Sequence, residues 1–163
     1  MTTRHLHVLA LCPREEETGW TWLTVPRLSI FGKEPSTVTE WDFGVIHGSP
    51  PDAAIRIARK AREIQGLDYK VGPAILVDMG SDRIRHMLEF LHYEKRMNDA
   101  TIHFASQEMT ARVNDATLKR LDMLVNDELI DSATGFALFQ LRQAKKDRQI
   151  AHELWPYPPN GLA

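Results

Sequence analysis

Three acidic residues stand at positions where carboxylates can form a reactive site. Glu128 and Asp131 are three residues apart near the start of a predicted helix, so their side chains lie on one helical face. Asp78 ends a short apolar run that predicts a buried strand. Grouped carboxylates bind hard cations such as Mg²⁺. Taken singly, however, Asp78 is also typical of a turn, and acids in the first turn of a helix stabilise its dipole.

The single cysteine, Cys12, lies at the end of the first predicted strand. One cysteine cannot form an internal disulfide, which fits a reducing compartment. The histidines nearest in sequence, His5 and His7, precede it on the same strand. They do not indicate an activating partner, and a small buried residue is the simpler explanation. The histidines at positions 5, 7, 47, 86, 92, 103 and 152 show no zinc-ligand spacing.

The composition indicates one soluble globular domain. Its 163 residues suffice for a single core, and 20 Lys and Arg against 22 Asp and Glu leave a net charge of −2. That charge excludes a strong general attraction to nucleic acid or acidic lipid, so contact with a polyanion would need a local patch. The sequence has no apolar run long enough to span a membrane and no secretion-signal pattern at its start. We therefore expect a cytoplasmic protein with no membrane partner.

The hydrophobic pattern predicts three strands followed by strands that alternate with helices. The strands are predicted over residues 5–11, 20–25, 36–46, 73–78 and 100–105, and the helices over 49–65, 81–95, 115–124 and 127–153. This order predicts a mixed five-stranded α/β sheet flanked by helices, with strand one between strands two and four. We expect one domain over 1–154 and an aromatic, proline-rich tail over 155–163.

Several local sequences, taken in this order, resemble RuvC-like Holliday junction resolvases of the RNase H-like superfamily. Residues 9–13 (LALCP) and 18–20 (TGW) resemble the opening hairpin of that family, and residues 75–79 (ILVDM) resemble its fourth strand. Residues 105–121 and 128–141 resemble the segment after strand five and the last helix in versions from actinobacterial phages. The resemblance extends over residues 6–146, most of the chain.

The resemblance implies an RNase H-like fold and an endonuclease that cuts branched DNA with two Mg²⁺ ions. It places the metal ligands at Cys12, Asp78, Glu128 and Asp131. If the strand register slips by one residue, Val77 takes the place of Asp78. Asp127 is a possible substitute for Glu128.

The same positions also depart from the family pattern. Cys12 replaces the aspartate expected to bridge both metals, and a mostly protonated thiol is a poor ligand for Mg²⁺. The acids at 15–17 would have to fold back over the strand end to compensate. Thr134 and Gly135 replace the usual arginine and histidine, and residues 106–109 lack the lysine common after strand five. We therefore expect lost or impaired cleavage, with Asp78, Glu128 and Asp131 as Mg²⁺ ligands only in an active protein.

Two alternatives to a nuclease stay open, and each predicts different binding partners. The first is a non-catalytic structural or adaptor protein of a phage particle, located in the host cytoplasm or the virion; the second is an unrelated α/β binding module. Residues 155–159 (WPYPP) favour docking on a neighbouring subunit, hence a homo-oligomer or a larger assembly. Branched DNA is a possible partner through two basic clusters, although each also fits a solvated helix face. The clusters are Arg56, Arg59, Lys60 and Arg62, and Arg142, Lys145, Lys146 and Arg148.

Overall fold

A computed structural model of the chain describes residues 5–35, 37–67, 73–78, 86, 89, 101–104 and 111–156. The strands in this part are β1 (His5–Pro13), β2 (Glu17–Pro26), β3 (Glu40–His47), β4 (Ala74–Val77) and β5 (Thr101–Phe104). The helices are α1 (Leu28–Phe31), α2 (Pro50–Leu67), α3 (Asp115–Arg120), α4 (Glu128–Lys146) and α5 (Arg148–Leu154).

The strands form one mixed sheet in the order β3-β2-β1-β4-β5. β1 pairs antiparallel with β2 and parallel with β4, which confirms the prediction that the first strand lies between the second and the fourth. β2 continues antiparallel to β3, and the backbone of β5 pairs parallel with β4. The predicted mixed α/β sheet with flanking helices is therefore correct.

β1 is the centre of two hydrophobic clusters because its side chains alternate between the two faces of the sheet. Val8, Ala10 and Cys12 face a cluster built largely with α4, whereas Leu9 and Leu11 face a cluster built with α2. All five side chains are buried. The strand thus carries the core on both faces, and the last residues of β1 are held firmly in place.

α4 covers one face of the sheet with an apolar stripe. Asp127 caps its start, because the carboxylate accepts hydrogen bonds from the N–H groups of Leu129 and Ile130 at 3.0 and 3.1 Å. Farther along, Ala133, Ala137 and other apolar side chains of this helix are buried in the cluster with β1. The position of α4 on the sheet decides where the acids of its first turn lie.

Several boundaries differ from those predicted. The last helix is not continuous from 127 to 153, because Asp147 has extended backbone angles and its side chain caps α5 by accepting from Gln149 N–H at 2.9 Å. The short α1 lies in the predicted loop, and β3 begins at Glu40 rather than at residue 36. The predicted helix over 81–95 lies outside the described residues except for 86 and 89.

Trp155, the first residue of the tail predicted to dock on a neighbouring subunit, belongs instead to the core of its own chain. Its side chain is completely buried in the core of its own chain, and its indole Nε1–H donates to the carbonyl oxygen of His7 at 3.2 Å. Its ring also meets Phe31 edge-on, with 6.5 Å between the ring centroids. The indole has an apolar body and one polar atom, and the core satisfies both. The rest of the predicted tail, residues 157–163, lies outside the described part.

Among the helices of the described residues, no segment has the length and apolar character needed to cross a membrane.

Candidate functional site

The parallel pairing of β1 with β4 brings Cys12 and Asp78 together. Leu11 lies opposite Val77, and the N–H of Asp78 donates to the carbonyl of Leu11 at 2.9 Å. The next residue of β1 therefore lies beside the first residue after β4, at the carboxyl ends of two neighbouring strands. The thiol of Cys12 contacts the Asp78 carboxylate, with 3.6 Å between Sγ and Oδ2. We call this pair the strand half of the candidate site.

The alternation of side chains in β4 separates Asp78 from Val77. Val77 is buried in the α2 cluster together with Leu9 and Leu11. Asp78 contacts Cys12, which belongs to the cluster on the α4 face. The side chain that lies beside the first-strand position is therefore Asp78, and Val77 is buried behind the sheet.

Glu128 and Asp131, the helix half of the candidate site, point in different directions. Glu128 is exposed in the first turn of α4. Asp131 is only 4% exposed, and its Oδ1 accepts a hydrogen bond from the N–H of Val125 at 2.9 Å. The carboxylate of Asp131 thus fixes the loop that leads into α4, beside Asn126 with its left-handed φ of 64°. Asp127, the possible substitute for Glu128, is occupied as the helix cap.

A close backbone contact positions the start of α4 against the strand half. Gly19 pairs with Cys12 in the β1–β2 hairpin. A Cβ atom added to Gly19 would lie 2.5 Å from the Cβ of Leu129 and 2.6 Å from its carbonyl carbon. The first turn of α4 therefore rests directly on the hairpin, but it does so through Leu129 rather than through an acidic side chain. Farther along, the Oγ1 of Thr134 donates to the Oγ1 of Thr21 at 3.1 Å and fixes the rotation of the helix.

Neither a protein-family model nor a curated protein sequence matches the chain. Among solved structures, RuvC from Thermus thermophilus matches with a TM-score of 0.56 and 12% sequence identity, over 86% of this chain and 96% of that one. The chain has a RuvC-like fold. T. thermophilus RuvC in complex with a Holliday junction substrate matches with a TM-score of 0.49 and 12% identity, over 86% of this chain and 97% of that one.

The donor set at the strand end does not fit the Mg²⁺ ions that a RuvC-like fold implies. Burial raises the pKa of the Cys12 thiol to about 11; the negative charge of Asp78 adds to this effect, and the Arg14 guanidinium opposes it. The thiol therefore stays protonated at neutral pH and donates to Asp78 instead of offering a charged ligand. Mg²⁺ prefers oxygen ligands, and this pair supplies one carboxylate and one neutral sulfur. Among the described residues, no three His, Cys, Asp or Glu side chains form a group that could hold a metal.

The acids of the first hairpin do not compensate for Cys12. Glu15, Glu16 and Glu17 are exposed in and beside the turn, where the N–H of Arg14 donates to the carbonyl of Glu17 at 2.7 Å. The carboxylate of Glu17 lies 3.8 Å from the Nδ1 of His47 on the neighbouring strand. The turn is closed by its own backbone, which leaves these side chains in solvent.

Arg112 packs beside α4, next to the helix half, and the sequence pattern did not predict it. Its guanidinium donates to the Ser132 hydroxyl at 3.3 Å and to the Asp115 carboxylate at 2.6 Å. A Cβ atom added to Gly135 would lie 2.7 Å from the Nε of Arg112, so the glycine makes room for the arginine beside α4. Gly135 lies where the resemblance expects a bulky basic residue. Its small size was the feature of the sequence that could have indicated a side chain packed closely against the helix.

The predicted basic cluster on α2 is partly occupied within the chain. The Nζ of Lys60 lies 4.9 Å from the ring centroid of Trp20 and 5.1 Å from that of Trp22, and 3.9 Å from the Asp42 carboxylate. Its alkyl chain therefore covers the two indoles while the ammonium group reaches a carboxylate. The other basic residues of this cluster are exposed on the helix: Arg56, Arg59 and Arg62.

Proposed function

We propose that this chain is a resolvase-fold protein, related in architecture to branched-DNA endonucleases, in which metal-dependent cleavage is lost or impaired. The observation that carries the proposal is the thiol of Cys12, 3.6 Å from the Asp78 carboxylate, at the position where the resemblance expects a bridging carboxylate. A missing negative charge at this point lowers the affinity for two divalent cations, because the site must neutralise up to four positive charges.

The helix half supports the same proposal. The carboxylate of Asp131 is already bonded to Val125 N–H, and Glu128 is exposed on the first turn of α4. Among the described residues, neither acid completes a group of three ligands with the strand half, so a cation there would have to draw one of them closer.

Branched DNA remains the nucleic acid to test, because the fold resembles that of Thermus RuvC. The net charge of −2 gives no general attraction to DNA, and Lys60 of the α2 cluster is held against two indoles and Asp42. We expect weak binding of four-way junctions that falls steeply with salt.

A cleavage assay on the full chain tests the proposal. A labelled four-way junction is incubated with the protein and Mg²⁺ or Mn²⁺, beside an active resolvase as positive control, and nicked strands are counted. We expect no product above background. Robust cleavage that disappears in both Asp78→Asn and Asp131→Ala would refute the loss of activity, since those carboxylates would then hold the metal.

The variant Cys12→Asp tests whether the thiol is the cause. Replacing it with a carboxylate supplies an oxygen ligand next to Asp78, so we expect measurable Mn²⁺ binding by calorimetry where the unchanged chain shows none. Cys12→Asn is the matched control, because the asparagine side chain has the same shape as that of aspartate and carries no charge. Equal Mn²⁺ binding by the unchanged chain and Cys12→Asp would show that the thiol is not what prevents binding.

The second candidate that we propose is a non-catalytic structural or adaptor protein of a phage particle. The strand half supports the lack of cleavage, and the phage setting rests on the sequence resemblance alone. A domain without cleavage is retained for its surfaces, and light scattering over a concentration series measures whether those surfaces associate. Because Trp155 belongs to the core, the truncation that tests the tail must begin after Pro156. Weaker association of a chain that lacks residues 157–163, with unchanged folding, would support the adaptor; a monomer that binds junctions tightly would favour a resolvase.

A further inference from the structure

A second concave site lies on the α4 face of the sheet, at the end opposite the strand half. Val25 of β2 lines it and pairs with Leu6 at the start of β1, whereas Cys12 lies near the other end of that strand. The cavity has a volume of about 480 Å³. Its lining includes Val25, Val38, Trp41, Leu138, Leu141 and Arg142. This site is separate from the candidate nuclease centre, so its test does not depend on the proposed function.

The interior of the cavity is apolar and firmly built. Val25, Leu138 and Leu141 are buried core residues of β2 and α4. Trp41 of β3 forms a wall, and its indole N–H is already bonded to the Oγ1 of Thr21 at 2.8 Å. The ring therefore offers its apolar surface to an occupant. A volume in this range is typical of pockets that bind small molecules.

Two charged side chains line the cavity among the described residues, the guanidinium of Arg142 and the carboxylate of Asp122. Arg142 is exposed at the rim, and its guanidinium has no hydrogen bond or ion pair with another residue in the described part of the chain. Lys119 and Arg120, both exposed, directly precede the rim residue Leu121. A guanidinium at the edge of an apolar pocket suits a carboxylate, because it can donate two parallel hydrogen bonds.

The surroundings favour a small molecule over a peptide strand. A peptide would need free backbone groups beside the cavity, and the nearest edge strand is β3. On β3 the N–H of Phe43 donates to the Oδ1 of Asp42 at 2.9 Å, so one of the donors along that edge is already used. The ring of Phe43 packs against Trp41 with 4.6 Å between the ring centroids and a tilt of 39°.

We propose that this cavity is a binding site for a small amphipathic carboxylate, with its alkyl or aromatic body between Trp41, Leu138 and Leu141 and its carboxylate on Arg142. The apolar lining supplies affinity through buried surface, and the guanidinium selects an acidic head group.

Nuclear magnetic resonance on the full chain with octanoate as the probe tests the site. The Trp41 indole N–H lies at the wall and is hydrogen-bonded within the protein, so its resonance reports occupancy. We expect a saturable shift of this resonance with octanoate and about tenfold weaker binding in Arg142→Gln. Octanol, which lacks the charge, should bind with equal affinity to the unchanged chain and to Arg142→Gln.

Two further variants sharpen the test. Lys146→Gln removes a positive charge from the same helix at a position that does not line the cavity, and it should leave octanoate binding unchanged. Val38→Trp fills the cavity from its half-buried rim and should abolish binding of both ligands. If Val38→Trp does not fold, the octanoate and octanol titrations of Arg142→Gln decide the question alone.

Four results would overturn the proposal. These are no saturable shift with octanoate, equal weakening by Arg142→Gln and Lys146→Gln, tighter binding of octylamine than of octanoate, and octanoate binding that a folded Val38→Trp leaves intact. Tighter binding of octylamine would indicate that Asp122 at the mouth binds a cationic ligand. A shift produced by an acidic, leucine-containing peptide but not by octanoate would assign the cavity to a protein partner.

Discussion

The strand half of the candidate site is held by backbone hydrogen bonds between paired strands, whereas the helix half depends on how α4 is rotated on the sheet. Cys12 and Asp78 come together because Leu11 pairs with Val77, and the pairing of those two strands fixes the next residue on each. Glu128 and Asp131 share a helical spacing, yet one is exposed and the other holds Val125 N–H. In this chain, the pairing of two strands therefore predicts which side chains meet more reliably than the three-residue spacing on a helix.

The difference arises because sheet register is discrete and helix rotation is continuous. A slip of one residue in β4 would move Asp78 to the opposite face, so the buried pattern permits one register. α4 instead settles where its contacts are best, with Leu129 on Gly19 and Thr134 on Thr21. Neither contact involves an acid, so the rotation of the helix is set independently of the carboxylates at its start.

The largest expected effect comes from forcing the two halves apart with Gly19→Ala. The added Cβ would lie 2.5 Å from the Cβ of Leu129 and 2.8 Å from its carbonyl oxygen, so the start of α4 must move. We expect a loss of about 3 kcal/mol of unfolding free energy in urea titrations. Gly44→Ala is the matched control, because its Cβ would meet the half-exposed Trp20 ring at 3.0 Å and the ring can shift. Equal losses in both variants would mean that Leu129 does not set the position of the helix.

Lowering the pH should reduce the free energy of unfolding through His7, a buried residue of β1. Burial, and to a lesser extent the charge of His5, lower the pKa of His7 from 6.5 to about 4. The unfolded chain therefore takes up a proton that the folded chain resists, and stability present above pH 6.5 is lost as the pH falls towards 4. We expect a loss of about 2 kcal/mol by pH 5, measured by urea titrations across this range.

His7→Gln is the variant that isolates this proton, because glutamine does not titrate there. The stability of His7→Gln should change less between pH 7 and pH 5 than that of the unchanged chain. His47→Gln, on an exposed residue of β3, should keep the original pH dependence. An unchanged pH profile in His7→Gln would contradict the role of this side chain.

Within the helix half, Asp131→Ala and Glu128→Ala should differ. Asp131→Ala leaves the N–H of Val125 without its acceptor in a buried setting, and we expect a loss of about 1.5 kcal/mol in thermal or urea unfolding. Glu128 is exposed, so its replacement should stay within about 0.5 kcal/mol. Asp131→Asn keeps an acceptor oxygen and should recover part of the loss. Equal effects at both positions would show that Asp131 does not anchor the loop.

The sequence was sufficient for the central place of β1 between β2 and β4, because alternation and pairing follow local rules. The meeting of Cys12 with Asp78 was implied by the family resemblance, and their contact agrees with it. The sequence was insufficient for Trp155, whose proline-rich surroundings indicate a tail although its indole fills the core and bonds to His7. It also missed the break at Asp147, since a capping aspartate inside an apolar helical pattern is read as one more solvated residue. The place of Trp155 depends on a contact with the distant residue His7, which periodicity does not report, whereas the break at Asp147 is made by a local cap.

The smallest expected effect is that of Cys12→Ala, which removes the side-chain contact within the strand half. The thiol lies 3.6 Å from Asp78 Oδ2, a weak hydrogen bond, while the register rests on backbone bonds such as Asp78 N–H to Leu11 O at 2.9 Å. Losing one buried sulfur atom should cost about 1 kcal/mol in urea unfolding. Asp78→Ala, which retains that backbone bond, is the matched control and should also keep the fold. A loss well above that of Asp131→Ala would mean that the thiol–carboxylate pair, and not the backbone pairing, holds the ends of β1 and β4 together.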